Sequence, residues 1–458
     1  MRRIHAAGLS LGVVLISGAV ALTASQARPA LRLAPLAQGT AALAQGTGAA
    51  LAPTFSKDVA PIVFKNCVSC HRPGESAPMS LLTYAAARPW ARAMTRRVNE
   101  GSMPPWHADA ATGTFENERR LTTEEKAVIT AWADAGAPEG DPKDLPAAPS
   151  FAEGWSIGTP DAVFQMAEDY AVPASGTVQY QYFTIPTNLT ETKWLQAIEV
   201  RPGNRAIVHH VLVYYQAPPD GSDVTPIIGQ VGRLGGGAAA AGGAGRLGGG
   251  AAAAGGAGRP LLGQRQLLAT YAPGTAPQTF RPGTAMRLPA GSRLVLQIHY
   301  TANGTAGMDR SKVGLMFAKE TPSTEIRAVQ FVNTLFSIPP GEADHRVNAE
   351  TSFQQDATLW GVFPHTHVRG KRWSYTLALP DGTMKPLLSV PKYDFNWQTY
   401  YMFKEPLEIP KGARILSSAW YDNSAANRSN PDPTMAVRWG DQTWEEMQYT
   451  GLLVSAKR

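Results

Sequence analysis

The chain has two cysteines in 458 residues, and both fall in one short run, Cys67-Val68-Ser69-Cys70-His71. C-x-x-C-H is the attachment signature of a c-type haem: two thioethers fix the macrocycle and the next histidine ligates the iron from one side. A zinc site would need further thiolates, and there are none. The same economy leaves no pair for an intrachain disulfide once both thiols are committed. Stability must then come from packing and bound metals.

Met1-Arg2-Arg3-Ile4-His5, an apolar run from Ala6 to about Ala24, and small residues at Ser25 and Ala27 read as a secretory signal over 1–27. The alternative is an uncleaved anchor, because the run approaches the ~20 residues a spanning helix needs. Membrane association is expected only in that case, since no later stretch is long and apolar enough to span. Export together with C-x-x-C-H points to the periplasm. The formal charge of +6 is modest for this length and gives no case for nucleic acid.

A chain of 458 residues exceeds what one hydrophobic core usually serves. Residues 28–53 are nearly uncharged Ala, Gly, Gln, Thr and Pro and read as a linker. From 54 to 145 the pattern is helical. Ser56 can cap a helix running into Cys67, Ala85 to Glu100 ends at Gly101, and Thr122-Thr123-Glu124-Glu125 forms a capping box for a helix ending near Gly136. After Pro-rich 138–149, short apolar runs such as Ile207 to Tyr215 and Leu294 to Tyr300 give an all-β pattern. An insertion over 232–259 interrupts it, where Gly232 to Ala244 repeats unchanged as Gly245 to Ala257. Its Gly/Ala content suits a tolerant loop.

The β region concentrates metal-ligand types: His209-His210, His299, His365-Thr366-His367 and Met447. Residues i and i+2 of a strand share a face, so His365 and His367 can converge on one ion. Neighbours such as His209 and His210 point oppositely in a regular strand, so joint ligation requires a bulge. His299 alternates with the core-facing Leu294, Leu296 and Ile298 and can meet them. Imidazoles with a thioether suit an ion cycling between Cu(I) and Cu(II).

Val208-His209-His210-Val211, Gln297-Ile298-His299-Tyr300, His365-Thr366-His367 and Thr443-Trp444-Glu445-Glu446-Met447 occur in that order. As an ordered set they resemble the copper type II, ascorbate-dependent monooxygenases, the family of peptidylglycine alpha-hydroxylating monooxygenase and dopamine beta-hydroxylase. The resemblance covers roughly 155 to 458 without the insertion. It implies two jelly-roll-like β-sandwiches, 150–335 and 336–458, each holding one copper. His209, His210 and His299 would hold the electron-transfer ion, and His365, His367 and Met447 the oxygen-activating one. The region from Phe55 to about Gly140 resembles a class I cytochrome c. The residues leave Met103, Met79, Met94 and His107 as candidates for the sixth haem ligand, and the resemblance, through Met103-Pro104-Pro105, selects Met103.

The fold expected is therefore multidomain: a small all-α cytochrome c domain followed by two all-β jelly-roll-like sandwiches. The implied function is a periplasmic monooxygenase that hydroxylates a C–H bond of a small organic substrate with O2. It would use two copper ions and one covalent haem c, with ascorbate or a periplasmic donor as reductant. Phe363 and Tyr449 stand where the peptide-amidating branch has arginine and asparagine, which argues against a peptide substrate. The competing reading is a non-enzymatic haem/copper electron-transfer or copper-binding protein.

Overall fold

Local chemistry accounts for the helices. The Thr122 hydroxyl accepts from Glu125 N at 3.1 Å while the Glu125 carboxylate accepts from Thr122 N at 2.9 Å, and the helix Thr123–Asp134 follows. The helix expected over Ala85 to Glu100 is broken. Pro89 cannot supply a backbone donor, so Tyr84–Ala87 passes through a 3-10 turn, Arg88–Trp90, into Ala91–Asn99. Gly101, at φ 71°, stops it. Ser56 does not cap the first helix. It is buried inside the turn Phe55–Val59, which starts at Thr54 with Thr54 N donating to Asp58 Oδ2 at 2.8 Å. Helix Ala60–Asn66 then delivers Cys67 at its C-terminal end. Phe55, Val59, Val63, Leu81, Met94, Ile129 and Trp132 form one core beneath these helices, with Cys67 packed against it.

The computed structural model describes residues 52–457 apart from 76, 152–153, 219–225, 230–264 and 274. The expected signal 1–27, the linker up to residue 51 and the insertion 232–259 lie outside the described residues. No helix among the described residues is long and apolar enough to cross a membrane.

The described chain is mostly β-sheet with few helices, consistent with jelly-roll-like β-sandwich domains. One sheet runs through the whole β region in the order Ala162–Gln165, Lys312–Phe317, Lys193–Arg201, Thr284–Leu288, Thr324–Asn333, Gln448–Ala456, Ala357–His365, Tyr401–Ile409. Its seam is Thr324–Asn333. The first residues of that strand pair in parallel with Thr284–Met286, and Arg327–Asn333 pairs antiparallel with Gln448–Val454.

A sheet of Gln181–Pro186, Arg293–Tyr300, Val208–Gln216 and Gln266–Tyr271 packs on the first half. A sheet of His345–Ser352, Arg414–Tyr421, Gly370–Ala378 and Met384–Val390 packs on the second. Each pair encloses its own core, as aligned sandwiches require. Strand His345–Ser352 alternates buried and partly buried residues, whereas Leu294–Tyr300 is buried throughout. His299 is 9% exposed on that strand.

Contacts on two sides join the helical part to the sandwiches. Residues 106–117 dock on strand Tyr401–Ile409 of the second sandwich. Phe115 bridges to Phe403, and the Asn117 side chain both donates to Tyr400 O at 2.7 Å and accepts from Met402 N at 3.1 Å. Trp106 and Phe115 complete an aromatic group with Tyr401 and Phe403. On the other side Glu75, just beyond His71, forms an ion pair with Arg205 of the first sandwich.

Candidate metal centres

His209 and His210 lie on strand Val208–Gln216, and the register with Arg293–Tyr300 shifts between Val208 and His210. This is the bulge that joint ligation demands. It turns both imidazoles toward His299, whose Cα pairs with that of His210. One ligand atom from each of the three lies within 4.8 Å of the others. The Nδ1 atoms of His209 and His210 are 3.1 Å apart. That is about the N···N edge around an ion with metal–nitrogen bonds near ~2.0 Å.

Hydrogen bonds fix which nitrogen is offered. Asn396 donates through Nδ2 to Asp394, so its Oδ1 accepts from His209 Nε2 at 2.8 Å and leaves Nδ1 with the lone pair. His299 Nε2 lies 3.4 Å from Thr443 Oγ1, and its Nδ1 is buried without a protein partner.

His210 has its Nε2 buried without a protein partner, and the second group offers that same nitrogen. Gln398 donates through Nε2 to Phe395 O at 3.0 Å, so its Oε1 accepts from His365 Nδ1 at 2.9 Å. His367 Nδ1 must donate to the Glu445 carbonyl at 3.1 Å, and its Nε2 is buried without a protein partner. Both rings therefore present Nε2.

Strand Ala357–His365 ends at His365, opposite Tyr449, and two residues on His367 meets Glu445 and Glu446, the residues just before Met447. The buried Glu446 carboxylate ties this corner together. It accepts from His367 N at 2.7 Å, Arg369 N at 2.7 Å and Met447 N at 3.2 Å. Burial pushes its pKa up to about 7 against those three donors and the Arg369 charge. Gly370 closes the turn after His367, where a Cβ would run into the Thr366 hydroxyl.

Every imidazole of both groups is kept neutral, chiefly by burial. His299 falls to about 3 and His365 to about 4, His210 and His367 lie well below the ordinary value, and His209 is lowered too. Neutral imidazole is the metal-binding form. Neutral rings with unpartnered buried nitrogens at His210, His299 and His367 are of the kind that takes a metal ion, and His209, His210 and His299 could hold one together.

The two groups lie on either side of Phe395 and Tyr180. The Phe395 ring centroid is 5.1 Å from His209 and 6.1 Å from His367, and that of Tyr180 is 5.4 Å from His210 and 6.1 Å from His367. A cleft of ≈ 790 Å³ reaches His209 and His299 between Arg369, Lys392, Asp394 and Arg428.

No family model matches the chain, and no curated protein matches it. Among solved structures it is similar to the major capsid protein P2 of bacteriophage PM2, at 10% identity over 64% of this chain and 97% of that one, with a TM-score of 0.26. Allantoicase from Saccharomyces cerevisiae gives 6% identity over 63% and 80%, with a TM-score of 0.17. The VP2 subviral particle of infectious bursal disease virus gives 10% over 66% and 75%, with a TM-score of 0.18. The fold assignment rests on the strand order and not on these likenesses.

At the C-x-x-C-H motif, Cys70 N and His71 N both donate to Cys67 O, at 3.1 and 3.0 Å, so a tight turn brings the thiols together. Burial first, then Cys70 and Glu125, push the Cys67 thiol up to about 12. His71 Nδ1 is buried without a protein partner. Two thiols and an orphaned imidazole nitrogen fit a covalent haem. Met103 is 41% exposed and lines a cavity with His107, Pro391 and Lys392, one that His71 does not line. Met94 is buried in the helical core and Met79 is half-buried.

The residues that orient these histidines, Asn396, Gln398 and Glu446, were not evident from sequence. Asp394-Phe395-Asn396-Trp397-Gln398 alternates polar and aromatic residues as a strand does, yet it forms a turn and loop, so its pattern gave no signal of the two orienting amides.

Proposed function

We propose that this protein is a periplasmic copper-dependent monooxygenase that hydroxylates a C–H bond of a small organic substrate with O2, fed with electrons through a haem c domain at 54–145 and a second copper. The observation that carries the reading is the pair of neutral, buried imidazole groups with ring nitrogens that lack protein partners: His299 Nδ1 and His210 Nε2 in the cluster with His209, and His367 Nε2 next to His365 in the other.

Bound copper would supply one-electron storage at the first group and oxygen activation at the second, and bound haem, held by Cys67, Cys70, His71 and Met103, one-electron delivery. The protein's own contribution is orientation. Asn396, Gln398 and the Glu445 carbonyl hold the tautomers, Glu446 ties together the backbone of His367, Arg369 and Met447, and Phe395 and Tyr180 pack against rings of both groups. The Glu75–Arg205 ion pair supports electron delivery from the haem side, because it brings the loop after His71 to the sandwich that carries His209. Phe363, stacked on His365 at 6.1 Å, and Tyr449, at 5.9 Å from it, favour an apolar or aromatic substrate over a peptide carboxylate.

The copper- and haem-loaded protein with ascorbate should consume O2 in step with hydroxylation of a member of an alkylbenzene and alkane panel. Loss of that uptake in Met447→Ala supports the reading. A second reading, electron transfer without catalysis, is favoured by the aromatic side chains packed between the groups. Tight copper binding with no substrate-dependent O2 uptake would select it.

A further inference from the structure

The imidazoles of the first histidine cluster all come from the first sandwich, but the groups that hold their rings come from the second. The segment between strands Met384–Val390 and Tyr401–Ile409 brings Asn396 Oδ1 to His209 Nε2 at 2.8 Å and stacks the Phe395 ring on that of His209 at 5.1 Å. Phe395 also meets His210 at 5.8 Å and His299 at 6.1 Å. The loop before strand Gln448–Ala456 places Thr443 Oγ1 3.4 Å from His299 Nε2. On the same loop, Gln442 Oε1 accepts from Tyr180 N of the first sandwich at 3.0 Å.

These groups are themselves fixed within the second sandwich. Asp394 Oδ1 accepts from Asn396 N at 2.8 Å and from Asn396 Nδ2 at 3.0 Å, and Glu445 Oε2 accepts from Gln442 N at 2.9 Å. A Cβ at Gly440 would run into the Glu445 carboxylate. Asn396 and Thr443 therefore travel with the second sandwich and not with the histidines they face. The second group differs, because Gln398 and the Glu445 carbonyl, which orient His365 and His367, belong to the same sandwich as those rings.

We infer that metal binding at His209, His210 and His299 is linked to docking of the two sandwiches, so that an ion in this cluster clamps the second sandwich onto the first, with Asn396 and Thr443 as positioning residues. The inference rests on the reading of this cluster as a metal centre. Docking fixes the orientation of the His209 and His299 rings, whereas separation leaves them free to turn, and partners of this kind are worth about 10- to 100-fold in metal affinity. Linkage is reciprocal, so the bound ion favours the docked arrangement by that same factor. Without such a clamp, relative motion is the ordinary expectation for two domains of one chain.

Hydrogen exchange at the Tyr180 amide, whose acceptor lies across the boundary, reads docking directly. In the full-length haem-containing protein, kept reduced under nitrogen, saturation with Cu(I) should slow that exchange by about 10- to 100-fold. His365→Ala should keep the slowing and His209→Ala should lose it. Asn396→Ala, compared by competitive titration in the His365→Ala background, should weaken Cu(I) binding and shrink the slowing at Tyr180 by the same factor. A residue that only supported the fold would not tie those two quantities together. Circular dichroism identifies a variant that fails to fold, and the unsubstituted protein with and without Cu(I) then decides. Cu(I) bound at the cluster with Tyr180 exchange unchanged, or slowing that survives His209→Ala, would overturn the linkage and leave the proposed function standing. Absence of Cu(I) from His209, His210 and His299 would overturn both.

Discussion

At the scale of residues, both histidine groups hold buried ring nitrogens without protein partners, Nε2 of His210 and Nδ1 of His299 in the first and Nε2 of His367 in the second. The histidines and Met447 were legible in sequence because strong ligand types are chemically rare in apolar strands. Gln398 was not, because a buried amide reads as an ordinary polar residue until the fold brings it to a ring 33 positions away. Removing its acceptor in Gln398→Leu frees His365 to swap tautomers. Competitive copper titration should then show the second site weakened by about 10- to 100-fold, with the first unchanged; equal affinity at both sites would contradict the assignment. Met103→Ala in the haem-loaded protein should abolish the long-wavelength thioether-to-iron absorption band, while Met79→Ala keeps it. The opposite pattern would move the sixth ligand to Met79.

At the scale of elements, adjacent histidines in an apolar strand demanded a bulge, and one is present between Val208 and His210. The capping box at Thr122 was equally readable, since it is a local four-residue device. The break at Pro89 could have been read from the proline itself. The docking of 106–117 was not readable, because Phe115 finds Phe403 across more than half of the sequence and nothing in its neighbours marks it as a pairing strand. Phe115 is 4% exposed and packs within two aromatic contacts of Trp106 and Tyr401. Phe115→Ala should therefore cost ~3–5 kcal/mol in urea unfolding and raise amide exchange at 401–404. An unchanged exchange pattern would mean that the segment is dispensable to the second sandwich.

At the scale of the whole molecule, the all-β pattern was visible in the spacing of short apolar runs. The continuous sheet through Thr324–Asn333 was not, since strand pairing between distant segments leaves no local trace. Folding around so many neutral imidazoles makes the metal-free protein acid-sensitive. The histidines of both groups have depressed folded values, about 4 for His365 and about 3 for His299, so their contribution is full above ~6.5 and is lost as pH falls toward those values. Glu446, raised to about 7, acts oppositely and favours the fold below its ordinary carboxylate range, but it is one group against five. Thermal melts of the metal-free protein should show Tm rising from pH 4 to about 6.5 and then levelling. A maximum near pH 4.5 would contradict the neutral-imidazole account.

The most direct test of the central claim is metal analysis with X-ray absorption on the Cu(I)-loaded, haem-containing protein, run beside Met447→Ala and His365→Ala. The account predicts two coppers per chain, a copper–sulfur contribution that vanishes in Met447→Ala, and one remaining copper in His365→Ala, held by His209, His210 and His299. A single copper in the unsubstituted protein, or two with no sulfur ligand, would contradict it.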